Sequence, residues 1–306
     1  MNWQGKRILI TGCTGFLGQE LLNHLSQSSA EIFALVRPSS QTQSLRGVLP
    51  PHRILEAATT TPDILKAVST AQPDLILHCA GRVLTDHRPD DMDDLLTSNI
   101  ILFSALLEAM AQQGTIRMVN VGTYLENAED GSLDPNSLYA ASKRAALEIL
   151  RYYQRSNPAQ VITVKPSVIY GPNDPRLRLL RLLIDATVNK RELKLSPGHQ
   201  LLDLVHVDDV ISAMELAAQR IFGAEPDHSI IEEYFAISGT PVSLRDLVAQ
   251  VEKITGGEIN VSWGAVPYKI SEVMSPYVKG PRVPGWYPEY CLTKGIQQMI
   301  TAGSST

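Results

Sequence analysis

Tyr139 and Lys143 stand four residues apart in Tyr139-Ala140-Ala141-Ser142-Lys143. On a helix that spacing puts a phenol and an ammonium on one face, one turn apart. A free phenol has a pKa of about 10, too high for easy proton exchange at neutral pH. A neighbouring ammonium favours phenolate by its charge, so Lys143 is expected to lower the phenol pKa. Tyr139 then reads as an acid toward a carbonyl oxygen or a base toward an alcohol. About sixteen residues upstream, Val119-Asn120-Val121-Gly122-Thr123 ends an apolar run, and Thr123 offers a hydroxyl to the same oxygen. A third feature is Thr11-Gly12-Cys13-Thr14-Gly15-Phe16-Leu17-Gly18, with glycines at intervals of three. An apolar run precedes it and helical spacing follows. One glycine permits a tight turn, one lets backbone approach a pyrophosphate, and one lets the helix pack closely on a sheet. The helix start then meets the phosphates with free N–H groups and partial positive charge.

The elements that must hold these residues follow from hydrophobic patterning. Residues 6–11, 31–36, 53–55, 75–78, 117–121 and 161–164 read as short strands, several without polar alternation, as in a sheet covered on both faces. Residues 63–71, 99–112 and 139–156 read as helices between them. That alternation predicts an α/β fold, a doubly wound parallel Rossmann sheet. Beyond Pro166 the rhythm changes. Helices are expected over 177–188, 210–222 and 244–255, with Asp208 and Ser243 as N-caps and Gly256 as the stop. Strands are expected over 202–207 and 234–237, loops over 263–292, and a frayed tail at the end. The expected division is a dinucleotide-binding domain over 1–170 that also receives parts of 200–240, and a smaller, discontinuous C-terminal substrate lobe, mainly 171–306.

Composition bounds the rest. With 27 Lys+Arg against 32 Asp+Glu, the formal charge of −5 argues against a nucleic-acid partner. No apolar run is expected to span a membrane, and the N-terminus lacks the apolar core of a signal peptide, so a cytoplasmic location is expected. Cys13, Cys79 and Cys291 are too few and too scattered for a disulfide framework or a metal site.

The glycine turn, Thr123 and Tyr139-x-x-x-Lys143 occur in an order that resembles the extended short-chain dehydrogenase/reductases of the NAD-dependent epimerase/dehydratase family. His78-Cys79-Ala80-Gly81 and Lys165-Pro166-Ser167-Val168-Ile169-Tyr170-Gly171-Pro172 resemble further family segments, with Lys165 where an arginine is usual. The resemblance implies an enzyme in which Thr123, Tyr139 and Lys143 are catalytic. It also implies cofactor contacts from Gly12, Thr14, Gly15, Phe16, Leu17, Ala80, Gly81, Pro166 and Val168, with Lys143 on the nicotinamide ribose and backbone near Val168 at the carboxamide. Asn99 matches an asparagine that ties helix to sheet. The second strand ends in Leu35-Val36-Arg37-Pro38-Ser39-Ser40, without the acid that holds an NAD ribose. Arg37 suits a 2′-phosphate, with hydroxyls from Ser39 and Ser40 beside it, so NADP(H) is favoured over NAD(H).

Residues 199–210 resemble the nucleotide-sugar branch, with Leu202 where a phosphate-binding arginine is common. The C-terminal region is similar to that of 4-keto-6-deoxyhexose reductases. Val83, Thr85, Asn173 and Arg282 are the expected substrate contacts, and Lys269 is a further candidate for a phosphate. The resemblance implies NADPH-dependent reduction of the C4 ketone of a nucleotide-linked 4-keto-6-deoxyhexose. The alternatives are a nucleotide-sugar 4-epimerase that retains NAD and a reductase of a non-sugar ketone. A homodimer is expected through the helices at 139–153 and 99–112, where a monomeric mass by light scattering would count against it.

Overall fold

The computed structural model describes residues 3–176, 178–225 and 227–303. Strands β1 (Arg7–Thr11), β2 (Glu31–Val36), β3 (Ile54–Glu56), β4 (Leu75–His78), β5 (Ile116–Val121) and β6 (Ala159–Pro166) are joined by helices α1 (Phe16–Leu25), α2 (Gln43–Arg46), α3 (Thr61–Ala71), α4 (Met92–Leu96), α5 (Leu102–Gln112) and α6 (Leu138–Tyr153). Next come β7 (Val168–Tyr170), α7 (Leu179–Asn189), β8 (Leu193–Leu195), β9 (Leu201–Leu202), β10 (Leu204–His206) and α8 (Val207–Phe222). The chain finishes with β11 (Ile230–Ala236), β12 (Val242–Ser243), α9 (Leu244–Thr255), β13 (Val261–Trp263) and α10 (Leu292–Gly303).

The central sheet is parallel and runs β11-β6-β5-β4-β1-β2-β3. Its order reverses between β4 and β1, where such sheets open a crevice at their carboxyl edge. Ile8 and Ile10 pack on one face with Leu21 and Leu22 of α1 and Val210 and Met214 of α8. Leu9 packs on the other with Val68 of α3, Leu106 of α5 and Leu150 of α6. Both faces are covered, which is why β1 carries no polar alternation. A smaller lobe has its own core of Leu180 and Leu183 from α7, Leu247 and Val251 from α9, and Ile296 and Met299 from α10. It is discontinuous, because α8 and β11 return to the sheet between its segments.

Several local expectations are corrected. The strand expected over 202–207 is broken into β9 and β10 at Asp203. That buried carboxylate turns away to accept N–H groups from Ser238 (2.9 Å) and Gly239 (2.8 Å) and hydroxyls from Ser167 and Ser238. The cap of α8 is His206, not Asp208: its Nδ1 accepts the Asp208 N–H at 3.3 Å. The helix at 99–112 begins earlier. A five-residue wide turn, Thr97–Ile101, joins α4 to α5 without a break. This turn carries Asn99 inward, where Nδ2 donates to Ser142 Oγ at 2.9 Å and Oδ1 accepts the Arg82 N–H at 2.9 Å. An 18-residue window within the helical run Pro89–Gln112 reaches a mean hydropathy of 1.4, long and apolar enough by composition for a membrane span. Its Phe103, Leu106, Leu107 and Met110 are buried in the core against the sheet. The first residue expected in the 177–188 helix, Leu177, lies outside the described residues. Part of the region taken as tail is helical, since α10 runs to Gly303; residues 304–306 lie outside the described residues.

Candidate active site

Ser137 starts α6 by accepting the Ala140 N–H on its hydroxyl at 3.3 Å. That start fixes the helix phase, and Tyr139 and Lys143 both point inward, each 6% exposed. The loop after β5 turns at Thr123, whose Oγ1 accepts the Leu125 N–H at 3.3 Å. The Tyr139 phenol is hydrogen-bonded to the Thr123 side chain. Burial pushes that phenol up to about 12, opposed by the Thr123 bond and the Arg178 charge and reinforced by Glu126 and Tyr124. The expected lowering by Lys143 is therefore corrected. The Lys143 ammonium is drawn to the sheet edge instead, donating to the carbonyls of Val121 (3.1 Å) and Ala80 (3.4 Å). Burial also pulls this amine down to about 8, against the opposing charge of Glu126.

Beneath Lys143, His78 ends β4. Its Nδ1 lies 2.8 Å from Thr11 Oγ1, which also accepts the Ala80 N–H at 3.2 Å. Burial and the Lys143 charge hold His78 well below the usual imidazole range, so it is neutral.

Two cavities, of about 300 and 310 Å³, meet over the glycine turn and share Gly12, Gly15, Cys79 and Gly81. The first is lined by Thr11, Thr14, Val36, Arg37, Ser40, Ala57, Thr59 and Ala80, among others. The second is lined by Phe16, Leu17, Val83, Thr85, Thr123, Tyr124, Tyr139, Lys143, Pro166, Val168, Arg176 and Arg178, among others. The turn fits a dinucleotide on its own geometry. Gly12 has φ +76°, and a Cβ there would come within 2.6 Å of the Ala80 backbone nitrogen; a Cβ on Gly18 would come within 2.2 Å of the Gly12 carbonyl oxygen. The α1 start at Gly15 has no side-chain cap, leaving its first N–H groups for phosphate oxygens. A larger but open depression, of about 970 Å³, lies far along the chain at Arg151, Arg155, Arg220 and Glu232, and holds none of these residues.

The other expected site residues divide. Arg37 lines the first cavity, but its hydroxyl companion there is Ser40; Ser39 is exposed and does not line it, because the turn closed by Ser40 N–H on the Arg37 carbonyl (2.9 Å) presents Ser40 inward. Val168 lines the second cavity, but its N–H is committed to the Asp203 carbonyl at 3.1 Å. Asn173 and Arg282 line neither. Asn173 is hydrogen-bonded to Glu20 on α1, and Arg282 lies over the Trp286 ring, 5.7 Å from its centroid. Lys269 pairs with Asp86 at 2.6 Å. Sequence reasoning missed Arg176, Arg178 and Tyr124. The available signal was Pro175-Arg176 and Arg178, two arginines close behind the Tyr170-Gly171-Pro172 turn. Arg176 is clamped by Asp174 with two contacts of 2.7 Å, whereas Arg178 makes no ion pair among the described residues.

Comparison with known proteins agrees with this architecture. The chain is 24% identical over 301 residues to a CDP-abequose synthase of Salmonella muenchen, covering 97% of each chain. It is 28% identical to a 4-hydroxy-2-methyl-3-oxo-4-farnesyl-3,4-dihydroquinoline-1-oxide ketoreductase of Stigmatella aurantiaca, covering 86% of this chain and 77% of that one. A solved UDP-glucose 4-epimerase of Thermotoga maritima, with UDP-glucose, superposes with a TM-score of 0.81 at 19% identity, covering 97% of this chain and 98% of that one. The family model described as NAD dependent epimerase/dehydratase matches residues 8–231. A glycine turn built for a dinucleotide, a phenol bonded to a hydroxyl at the mouth of the same crevice and that match over most of the sequence lead to one assignment: this chain is an enzyme of the NAD dependent epimerase/dehydratase family.

Proposed function

We propose that this enzyme is an NADPH-dependent reductase of the C4 ketone of a nucleotide-linked 4-keto-6-deoxyhexose. The observation that carries the reading is the placement of Tyr139: it lines the second cavity beside Thr123, next to the glycine turn, where a positioned phenol can give its proton to a ketone oxygen. Bound NADPH would supply the hydride. Tyr139 donates its proton to the ketone oxygen, Thr123 holds that oxygen by its hydroxyl, and Lys143 places positive charge beneath the pair. Arg178, which lines the second cavity and makes no ion pair among the described residues, is suited to an anionic group of the substrate. The similarity to CDP-abequose synthases over nearly the whole chain supports a sugar nucleotide. The test is loss of reduced-nicotinamide absorbance on adding a CDP-linked 4-keto-6-deoxyhexose. Reduction supports the reading; no reduction by any of the CDP-, dTDP-, GDP- or UDP-linked 4-keto sugars overturns the sugar assignment.

A second reading, reduction of a non-sugar ketone, is favoured by the apolar wall of Phe16, Leu17, Val83, Leu125 and Ile169 around the second cavity and by the ketoreductase relative. It predicts turnover of an apolar ketone and none of any sugar nucleotide.

Arg37 and Ser40 line the first cavity where an adenosine 2′-phosphate would lie, which supports NADPH. Arg37→Ala is expected to weaken NADPH binding by about tenfold and change NADH binding less than about twofold, since one charge-assisted contact at an exposed site is lost. Fluorescence titration with both nucleotides checks it; an unchanged ratio counts against the preference.

The pH profile follows from Lys143. Its ammonium is present below about 8 and lost above it, while the Tyr139 proton stays on across that range. The kcat/KM for reduction is expected to be flat below pH 8 and to fall above it. A rise above pH 8 would contradict the assigned role of the ammonium. We also propose a homodimer through the outer faces of α5 and α6, where Ile101 in the turn before α5 and Tyr152 on α6 are exposed; a mass of two chains by light scattering is the expected result.

A further inference from the structure

Four charged side chains outside the mechanism above run in a line under the site. Glu126, fully buried, ends the short turn that Thr123 caps, and its Oε1 accepts the Thr123 backbone N–H at 3.2 Å. Its Oε2 lies 3.0 Å from Lys165 Nζ, an ion pair rather than an aligned hydrogen bond. Lys165, on β6 and 2% exposed, reaches Glu233 Oε2 on the edge strand β11 at 2.6 Å and Asn127 Oδ1 at 3.5 Å. Glu233 then accepts Arg144 Nη1 at 2.9 and 3.2 Å. Arg144 is the residue after Lys143 on α6. The line thus starts at Thr123, crosses β6 and β11, and ends on the helix that carries Tyr139 and Lys143. Its charges alternate and sum to zero.

Resting on the catalytic reading of Thr123, Tyr139 and Lys143, we propose that Glu126, Lys165, Glu233 and Arg144 form an ionic strut that sets the Thr123 loop against α6, with Glu126 and Lys165 as positioning residues for the reaction. The argument is geometric. Thr123 hangs on a loop, and the hydrogen bond between its side chain and Tyr139 closes only if loop and helix keep their spacing. Apolar packing fixes α6 along Ala146, Leu147 and Leu150, and at the catalytic end Tyr139 and Ala140 pack on Leu125 of the Thr123 loop. Apolar contact sets no direction there, and the strut adds a directional tie between loop and helix through the edge of the sheet. An ion pair this deep is seldom the most stabilising filling for a core, since well-packed apolar residues of similar volume often serve as well or better. Two charged groups in alignment with a reaction centre, with a neutral sum, are better explained by position and field than by stability. Glu126 also sets the local field. Its carboxylate raises the pKa of both Tyr139 and Lys143. The other groups facing Tyr139 are Thr123, Tyr124 and Arg178, and those facing Lys143 are Cys79 and His78.

The test compares the unaltered chain with Glu126→Gln, Lys165→Arg and the apolar pair Glu126→Leu with Lys165→Met. The apolar pair buries no unpaired charge between them, so it is expected to remain folded even though the Thr123 N–H loses the acceptor that Glu126 supplied, and urea unfolding checks this. Turnover is read as NADPH oxidation with a CDP-linked 4-keto-6-deoxyhexose. Lys143 is titrated by NMR of its labelled ε-carbon in protein without substrate. Glu126→Gln is expected to lower kcat about tenfold with KM within about twofold, and to move the Lys143 midpoint down by at least about half a unit as the opposing charge is lost. The apolar pair is expected to show the same kcat loss while folded, and Lys165→Arg to retain most turnover. Parental kcat in the folded apolar pair together with an unmoved Lys143 midpoint in Glu126→Gln would overturn the strut. Retained turnover in Tyr139→Phe would instead strike only the catalytic reading, because the Lys143 titration needs no substrate and still decides the field of Glu126.

Discussion

Tyr139→Phe is expected to reduce ketone turnover by about a thousandfold, within the range of 10²–10⁴ that a positioned general acid contributes. The dissociation constant for NADPH is expected to stay within about twofold. The asymmetry follows from where the two parts of the side chain sit. The ring packs in a small apolar cluster with Leu95, Leu125 and Ala140, and phenylalanine fills that space. Tyr139 also lines the second cavity, with its hydroxyl bonded to Thr123. Removal of the hydroxyl costs the fold about 1 kcal/mol for one hydrogen bond and leaves the glycine turn and the first cavity as they were. Steady-state turnover and a fluorescence titration with NADPH check the two halves separately. Turnover within tenfold of the parent would show that another group delivers the proton.

Asp203→Ala is the largest expected loss of stability, about 3–5 kcal/mol by urea unfolding, because hydrogen bonds to a buried charged group are individually strong and their removal leaves partners unsatisfied. Asp203 is 1% exposed, and its two oxygens accept from Ser167, from the Ser238 N–H and hydroxyl, and from the Gly239 N–H. These donors belong to two separate stretches of chain, the β6–β7 junction and the turn after β11, and Asp203 brings both to the break between β9 and β10. The carboxylate is thus the joint between sheet and lobe. Pro166, Ser167 and Val168 also line the second cavity, so the same substitution should lower turnover in whatever fraction remains folded. Asp203→Asn keeps one carbonyl acceptor and should lose roughly half as much. An unfolding free energy for Asp203→Ala within about 1 kcal/mol of the parent would mean that apolar packing, not this joint, holds the lobe.

Asp203 also marks the limit of reading along the chain. Its neighbours Leu201, Leu202, Leu204 and Val205 look like one continuous strand. Nothing local says that the carboxylate between them finds donors some thirty-five residues away on either side. Asp208 looked like the helix cap because a carboxylate commonly is one, yet His206 took the role once its ring was buried at the sheet edge. Ser39 and Ser40 were equivalent on paper until the turn at Arg37 chose between them. Arg178 carried a weak signal, a second arginine after a glycine-proline turn, and only the shape of the cavity shows it facing Tyr139.

What the sequence determined by itself is what depends on neighbours along the chain. Unalternating apolar runs made strands covered on both faces, glycine spacing made a phosphate turn, Ser243 and Gly256 bounded α9, and a four-residue interval put Tyr139 and Lys143 on one side of α6. What only the tertiary structure decided is the charge state and partnership of those same groups. Burial holds the proton on Tyr139, two carbonyls claim Lys143, and Glu126 meets Lys165 across two strands. The physical reason is that desolvation and Coulomb interactions depend on distance through space and on the water excluded around a group. Neither quantity is a property of sequence separation.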